Sequence, residues 1–311
     1  MSAVLRIGTR GSDLALWQAR HVAARLAALP GAPPTEIVVI RTEGDQVLDV
    51  PLSTVEGKAF FTKEIEAALR ERTVDLAVHS LKDLPTVLPE GLAIGAVLER
   101  EDPRDVLLSR GVPFAELPTG ARVGTSSLRR RAVLARWRPD LQLIDLRGNV
   151  PTRIRKLEEG AYNAIVLAAA GVKRLGLERH VTEYLSLARV LPAVAQGAVA
   201  VEVRADDAAT RAALEPLDHY PTRAATAAER ALLRRLEGGC QVPVGALATL
   251  AGETLELTAE ICALDGASAV AGRRSAPAAA AEELGRELAE ELLARGGAEI
   301  LDAIRRPGAG A

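Results

Sequence analysis

Sulfur and aromatic side chains are nearly missing from this 311-residue chain, which has two Cys, one Met, two Trp, three Tyr and three Phe. Two cysteines, Cys240 and Cys262, cannot build a disulfide framework, and no CxxC pair offers a zinc site. The four histidines, His21, His79, His180 and His219, show no HExxH or comparable ligand spacing, so no metal is expected. No uncharged apolar run reaches the roughly 18–20 residues that a membrane-spanning helix requires. The opening MSAVLRIGTRGSDLALWQ has neither the basic head nor the apolar core of a signal peptide. A cytoplasmic protein without a membrane partner is the expectation. Charge excess is lacking too: the formal net charge of −2 argues against a general nucleic-acid binder. GxGxxG and GxxxxGK[ST] are both absent, so neither common nucleotide cradle is present.

What remains is an ordinary globular composition, 48% apolar and 26% charged, with Ala, Leu and Val carrying burial. The length exceeds one core and favours two or three domains. Short apolar runs alternate with helix-period segments. VLRIGT (4–9), EIVVIR (36–41) and VDLAVH (74–79) are predicted strands. Ser12 caps the helix between the first two, and FTKEIEAALRER (61–72) is a second helix. The pattern restarts after EREDPRD (99–105), with predicted strands RVG (122–124), LQLIDL (141–146) and NAIVLA (163–168). Such βαβ alternation predicts mostly parallel sheets. GAVAVEVR (197–204) reads as a strand that returns to the first domain. A helix follows over 222–239 with Thr222 as its N-cap, then alternating segments over 246–272 that predict an antiparallel sheet, and closing helices near 281–295 and 298–306. The whole reads as two α/β domains and a smaller α+β domain.

Chemistry concentrates where predicted strands meet helices. TRGS (9–12), HSLKD (79–83), GTSSLRRR (124–131) and RGNVPTR (147–153) each combine small or hydroxylated residues with Arg or Lys. In open α/β sheets the carboxyl ends of the strands are where ligands bind. A cation in a first helical turn opposes the helix dipole, at about 0.3–1 kcal/mol when exposed. Arg129, Arg130 and Arg153 break that rule, and broken local rules mark functional sites. An anion would remove the conflict by taking both the free N–H groups and the guanidinium forks. Four such junctions predict a ligand with several carboxylates, against the plainer reading of solvated arginines.

Asp83 follows Lys82 at the end of a strand and could exchange a proton with a bound amine. A salt bridge to Lys82 or a turn cap is the ordinary alternative. His79 reads as a core histidine. Cys262, inside LTAEICAL, reads as a small buried hydrophobe. Cys240 differs, because LEGGCQVPVG (236–245) is a glycine-flanked loop. No adjacent Lys, Arg or His would lower its pKa, so an attachment point is chemically easier than a turnover nucleophile.

Eight segments in order resemble the porphobilinogen deaminase family: RIGTRGSDLALWQA, TEGD, FTKEIEAALRERTVDLAVHSLKDLPT, EREDPRDVLLS, VGTSSLRRRAVL, LRGNVPTRIRKLEEGAYNAIVLAAAGVKRLG, PAVAQGAVAVE and AAERALLRRLEGGCQVPVG. The resemblance implies a dipyrromethane cofactor bound through a thioether to Cys240. It implies a transferase that joins four porphobilinogen units head to tail with loss of ammonia and releases hydroxymethylbilane, a step of tetrapyrrole and haem biosynthesis. Asp83 matches the catalytic acid. Arg10, Lys82, Arg129, Arg130, Arg147, Arg153 and Arg174 match the cations that bind cofactor and substrate, with Gln18, Ser80, Thr125 and Ser127 adding hydrogen bonds. QVLDVPLSTVEGK (46–58) resembles a mobile loop over the cleft.

The implied fold is two α/β domains like type II periplasmic binding proteins, joined by a hinge, plus a small C-terminal α+β domain. The expected boundaries are 1–98 with 197–217, then 99–196, then 218–311. A monomer is expected, with hand-off to the next tetrapyrrole-pathway enzyme as a possibility. The rival readings are a non-enzymatic polycarboxylate-binding protein on the same bilobed fold and a nucleic-acid binder using Arg129–Arg131.

Overall fold

The computed structural model describes residues 4–42, 62–236 and 242–305. In chain order its first elements are β1 (Leu5–Thr9), α1 (Asp13–Ala27), β2 (Thr35–Val39), α2 (Lys63–Arg70), β3 (Leu76–Ser80), a 3-10 turn (Leu81–Asp83) and β4 (Leu92–Val97). There follow β5 (Asp105–Leu108), β6 (Arg122–Gly124), α3 (Leu128–Trp137), β7 (Gln142–Ile144), α4 (Val150–Glu158), β8 (Ala164–Ala168), α5 (Ala169–Arg174) and β9 (Glu183–Tyr184). The chain continues through β10 (Val199–Arg204), α6 (Ala208–Leu214), α7 (Tyr220–Leu236), β11 (Val244–Ala251), β12 (Thr254–Cys262), β13 (Ala269–Pro277), α8 (Ala281–Leu292) and α9 (Ala298–Arg305). Two compact units result. One holds the described residues up to Glu101 together with Gly197–Arg223, and the other holds Asp102–Gln196 and the described residues from Ala224 onward.

The first unit is built on a five-stranded sheet in the order β2-β1-β3-β10-β4. β1, β2 and β3 are parallel, and β10 runs antiparallel between β3 and β4, so the late strand does return to the first unit. Both faces are covered. Leu76 and Val78 of β3 pack with Ala19, Val22 and Leu26 of α1, whereas Ala77 packs with Ile65 and Leu69 of α2. Two-sided burial explains why LAVH reads as a continuous apolar run rather than an alternation. Ser12 Oγ accepts from Ala15 N at 3.4 Å, as an N-cap should.

The second unit repeats the plan with a sheet in the order β7-β6-β8-β5-β9, in which β6, β7 and β8 are parallel and β5 is antiparallel to both its neighbours. It also carries the antiparallel sheet β11-β12-β13, against which α8 packs. Cys262 lies with Leu107, Val123 and Val166 in one core, and burial pushes its thiol up to about 11. It is the inert core cysteine that its sequence context suggested.

Three expectations need correction. The sheets are mixed rather than mostly parallel. The segments LAIGAV and DVLL are strands that the sequence pattern did not single out. The helix expected to start at Thr222 starts at Tyr220, and Thr222 does not cap it. Its Oγ1 accepts instead from Arg100 N at 3.0 Å and lies 2.8 Å from His219 Nδ1.

Candidate functional site

In the first unit β1 and β3 are parallel neighbours, so their carboxyl ends bring TRGS and HSLKD to one sheet edge. Gln18, buried on α1, donates from Nε2 to Ser80 Oγ at 2.8 Å and ties the two junctions together. Arg10 is half-buried after β1, and Lys82 and Asp83 are exposed on the 3-10 turn that follows β3. Among the described residues Asp83 makes no hydrogen bond or ion pair, so the ordinary salt bridge to Lys82 is not formed. His79 is buried with Nε2 3.1 Å from Glu202 Oε2, a core histidine but one set against a buried carboxylate.

In the second unit the carboxyl ends of β6, β7 and β8 lie side by side. Ser127 Oγ caps α3 by accepting from Arg130 N at 3.4 Å, and buried Thr125 accepts at Oγ1 from Ser127 N at 3.2 Å. Asn149 caps α4, accepting from Thr152 N at 3.0 Å. Between β7 and α4, Gly148 sits at φ +112°, where a Cβ would also fall 2.7 Å from Thr152 Cγ2, so only glycine fits. Arg153 Nε donates to Gly148 O at 2.7 Å and Lys156 Nζ to Arg147 O at 3.1 Å, fixing the turn that carries Arg147. Arg147, Arg153 and Arg174 are half-buried.

The buried arginines have a partner that the sequence did not reveal. Asp105, the first residue of β5, is fully buried. Its Oδ2 accepts from Arg129 Nη2 at 2.8 Å, and its Oδ1 accepts from Arg130 Nη2 at 2.7 Å and Gln196 Nε2 at 2.9 Å. Burial alone would push the Asp105 carboxyl up; the two guanidiniums and their hydrogen bonds overcome it and hold the group well below the usual range. The dipole conflict of Arg129 and Arg130 is thus relieved first by an internal anion. The motif EREDPRD contains that acid, but nothing local distinguishes Asp105 from its polar neighbours. Arg131, by contrast, pairs with Asp145 at 3.0 Å on the outside of α3.

The relief is incomplete. Arg129 and Arg130 are only 4% and 6% exposed. Two cations share one carboxylate, and Arg129 Nε is buried with no hydrogen-bond partner. A buried uncompensated cation is costly. This donor set fits a group bearing carboxylates, as a dipyrromethane does. Cys240, its expected attachment point, and the segment 46–58 lie outside the described residues.

Each unit is a mixed α/β body with cations and hydroxyls at its strand ends, and the first also carries the exposed Asp83 there, an arrangement whose chemistry suits carboxylate-bearing ligands. The chain belongs to the porphobilinogen deaminase family. Residues 5–212 match the family's dipyrromethane cofactor binding domain and residues 224–294 its C-terminal domain. It is 54% identical to the porphobilinogen deaminase of Syntrophomonas wolfei, over 97% of this chain and 99% of that one. It is 52% identical to the enzyme of that name from Syntrophobacter fumaroxidans, over 97% of this chain and 98% of that one. Among solved structures, the Bordetella pertussis BvgS periplasmic VFT2 domain is similar at TM-score 0.41 and 14% identity, over 68% of this chain and 85% of that one. Among the described residues no helix is long and apolar enough to cross a membrane, and no cluster of His, Cys, Asp and Glu could hold a metal ion.

Proposed function

We propose that the protein is a transferase that deaminates porphobilinogen and joins four units head to tail on a dipyrromethane held by Cys240, releasing hydroxymethylbilane. The observation that carries this reading is the buried Arg129–Arg130 pair with its excess positive charge and unpartnered Nε. When bound, the dipyrromethane supplies the free pyrrole carbon to which the first substrate is joined.

The residues divide the work by chemistry. Arg129, Arg130, Arg147, Arg153 and Arg174 in the second unit, and Arg10 and Lys82 in the first, receive acetate and propionate carboxylates. Arginine suits this, since its planar fork matches a carboxylate at two points. Thr125, Ser127, Ser80 and Gln18 orient those groups with hydrogen bonds. Asp83 in its acid form passes a proton to the departing amine, and the carboxylate this leaves accepts from pyrrole N–H groups and balances the cation left when ammonia goes. This exposed side chain has no partner of its own among the described residues, which leaves it available for that role. We propose further a monomeric cytoplasmic enzyme with domains at 1–98 with 197–217, 99–196 and 218–311, and with product passed to the next enzyme of tetrapyrrole synthesis.

Intact mass of the purified protein beside its Cys240→Ser variant tests the tether. An excess equal to one dipyrrole, absent from the variant, is expected. An unmodified mass in a folded preparation would overturn it and leave a polycarboxylate-binding protein. Asp83→Asn should keep the cofactor mass and lose turnover by about 10²–10⁴-fold, the usual worth of a positioned acid; near-normal turnover would remove Asp83 from the chemistry.

A further inference from the structure

Several polar atoms on the α2 face of the first unit's sheet have no task in the proposed chemistry. His79 Nε2, both carboxylate oxygens of Glu202 and Oε1 of Glu66 are buried without a hydrogen-bond partner. His79 Nε2 and Glu202 Oε2 nevertheless approach to 3.1 Å, without an aligned hydrogen bond. Burying such groups is expensive, and one documented use of that expense is to fix a register.

The register in question is that of β3 against β10. His79 stands opposite Ala200, which makes Glu202 its diagonal neighbour on the same face. The next residue, Ser80, turns to the other face, where Gln18 holds it at 2.8 Å. Leu81 N then donates to Ala198 O at 3.0 Å, and Leu84 N to Leu81 O at 3.3 Å, forming the turn that presents Asp83. Because Asp83 has no side-chain partner among the described residues, only this backbone path sets its place. A slip of β3 by one residue would reverse every side chain beyond it.

We infer that His79 and Glu202 are positioning residues for the reaction: their buried pair pins β3 to β10 so that Asp83 is held at the sheet edge. The charged groups around the pair are consistent with that task. Glu66 faces it from α2, with Glu64 and Arg70 further along the same helix. Arg204 on β10 is engaged elsewhere, donating to Leu69 O at 3.0 Å, Val74 O at 2.8 Å and Asp207 Oδ2 at 2.6 Å. Burial pushes the Glu66 carboxyl up.

The inference rests on the reading of Asp83 as the catalytic acid, and the test separates the two. His79→Gln removes one partner. His79→Leu with Glu202→Leu removes both polar groups and keeps a packable core, so it retains the fold even where the single variant loses it. Turnover of porphobilinogen, KM, cofactor mass and amide exchange at Leu81 and Leu84 are measured in the cofactor-loaded protein. The expected result is normal cofactor mass and KM, faster exchange at the two amides, and a fall in kcat of about 10- to 100-fold, the scale of a misplacement near 1 Å. That fall should vanish when Asp83→Asn is added, since a general loss of stability would lower both backgrounds alike. Unchanged kcat and exchange in the double-leucine variant, with Asp83→Asn still inactive, overturns the inference alone. Normal turnover in Asp83→Asn overturns the reading of Asp83 instead.

Discussion

Replacing Asp105 by Asn keeps the size of the side chain and removes its charge, which isolates the electrostatic part of the second unit's site. In the parent, one carboxylate stands against two buried guanidiniums, so the cluster carries a net charge of +1; in the variant it carries +2. Neither arginine can turn to water at 4% and 6% exposure. Removing one partner from a buried pair costs about 3–5 kcal/mol, against a total stability of about 5–15 kcal/mol for a typical protein. At about 2 °C per kcal/mol for a chain of this size, the midpoint of thermal unfolding should fall by about 6–10 °C. The pH dependence follows from linkage. Asp105 is depressed in the folded state, so its stabilisation is complete above its unfolded pKa of about 3.9 and is lost as pH falls toward its folded value. The gap between parent and variant should therefore be flat from about pH 5 to 8 and narrow below about pH 4. Melting curves of both proteins across that range supply the assay. A variant that melts within 2 °C of the parent at pH 7, about 1 kcal/mol on this scale, would refute the claim that Asp105 neutralises the buried arginines.

Other outcomes follow from the same geometry. Ser126 Oγ donates to Leu146 O at 2.6 Å and accepts from Leu146 N at 3.2 Å, so Ser126→Ala strands two backbone groups of a buried residue. It should cost about 1–3 kcal/mol in urea unfolding and weaken cofactor retention, because Leu146 leads into the turn bearing Arg147; full stability would show that the backbone finds other partners. Thiol titration of the native, cofactor-loaded protein should find neither cysteine, because the proposed tether consumes Cys240 and Cys262 is buried with its thiol pushed up to about 11. Unfolding should then expose one thiol, and two would mean that Cys240 is unmodified.

The elements legible in the sequence were those whose burial leaves a local pattern. Helix α1 shows its serine cap and Val22 and Leu26 at helical spacing, and the β3 run is apolar because helices cover both sides. Residues 92–97 and 105–108 carry no such mark. LAIGAV is interrupted by Gly95, close to the side chains of Leu214 and Val203, and DVLL is only four residues long and opens on an acid. The start of α7 was misplaced because Thr222 looks like a cap, whereas its hydroxyl is taken by Arg100, 122 positions away.

The strand-end arginines show where local reasoning stops. The dipole argument required an anion at the start of α3, and one is there, but it is Asp105 from β5, 24 and 25 residues earlier in the chain. Proximity in space, set by β5 lying antiparallel beside β8, decides which acid it is. One internal carboxylate for two buried cations still leaves a positive charge and an idle Arg129 Nε. A site fully neutralised from within would have no use for a ligand, and one with no internal acid would carry two bare buried charges before the cofactor arrived. On the proposed function, Asp105 lets the arginines be buried before the ligand binds, while the remaining charge favours a carboxylate.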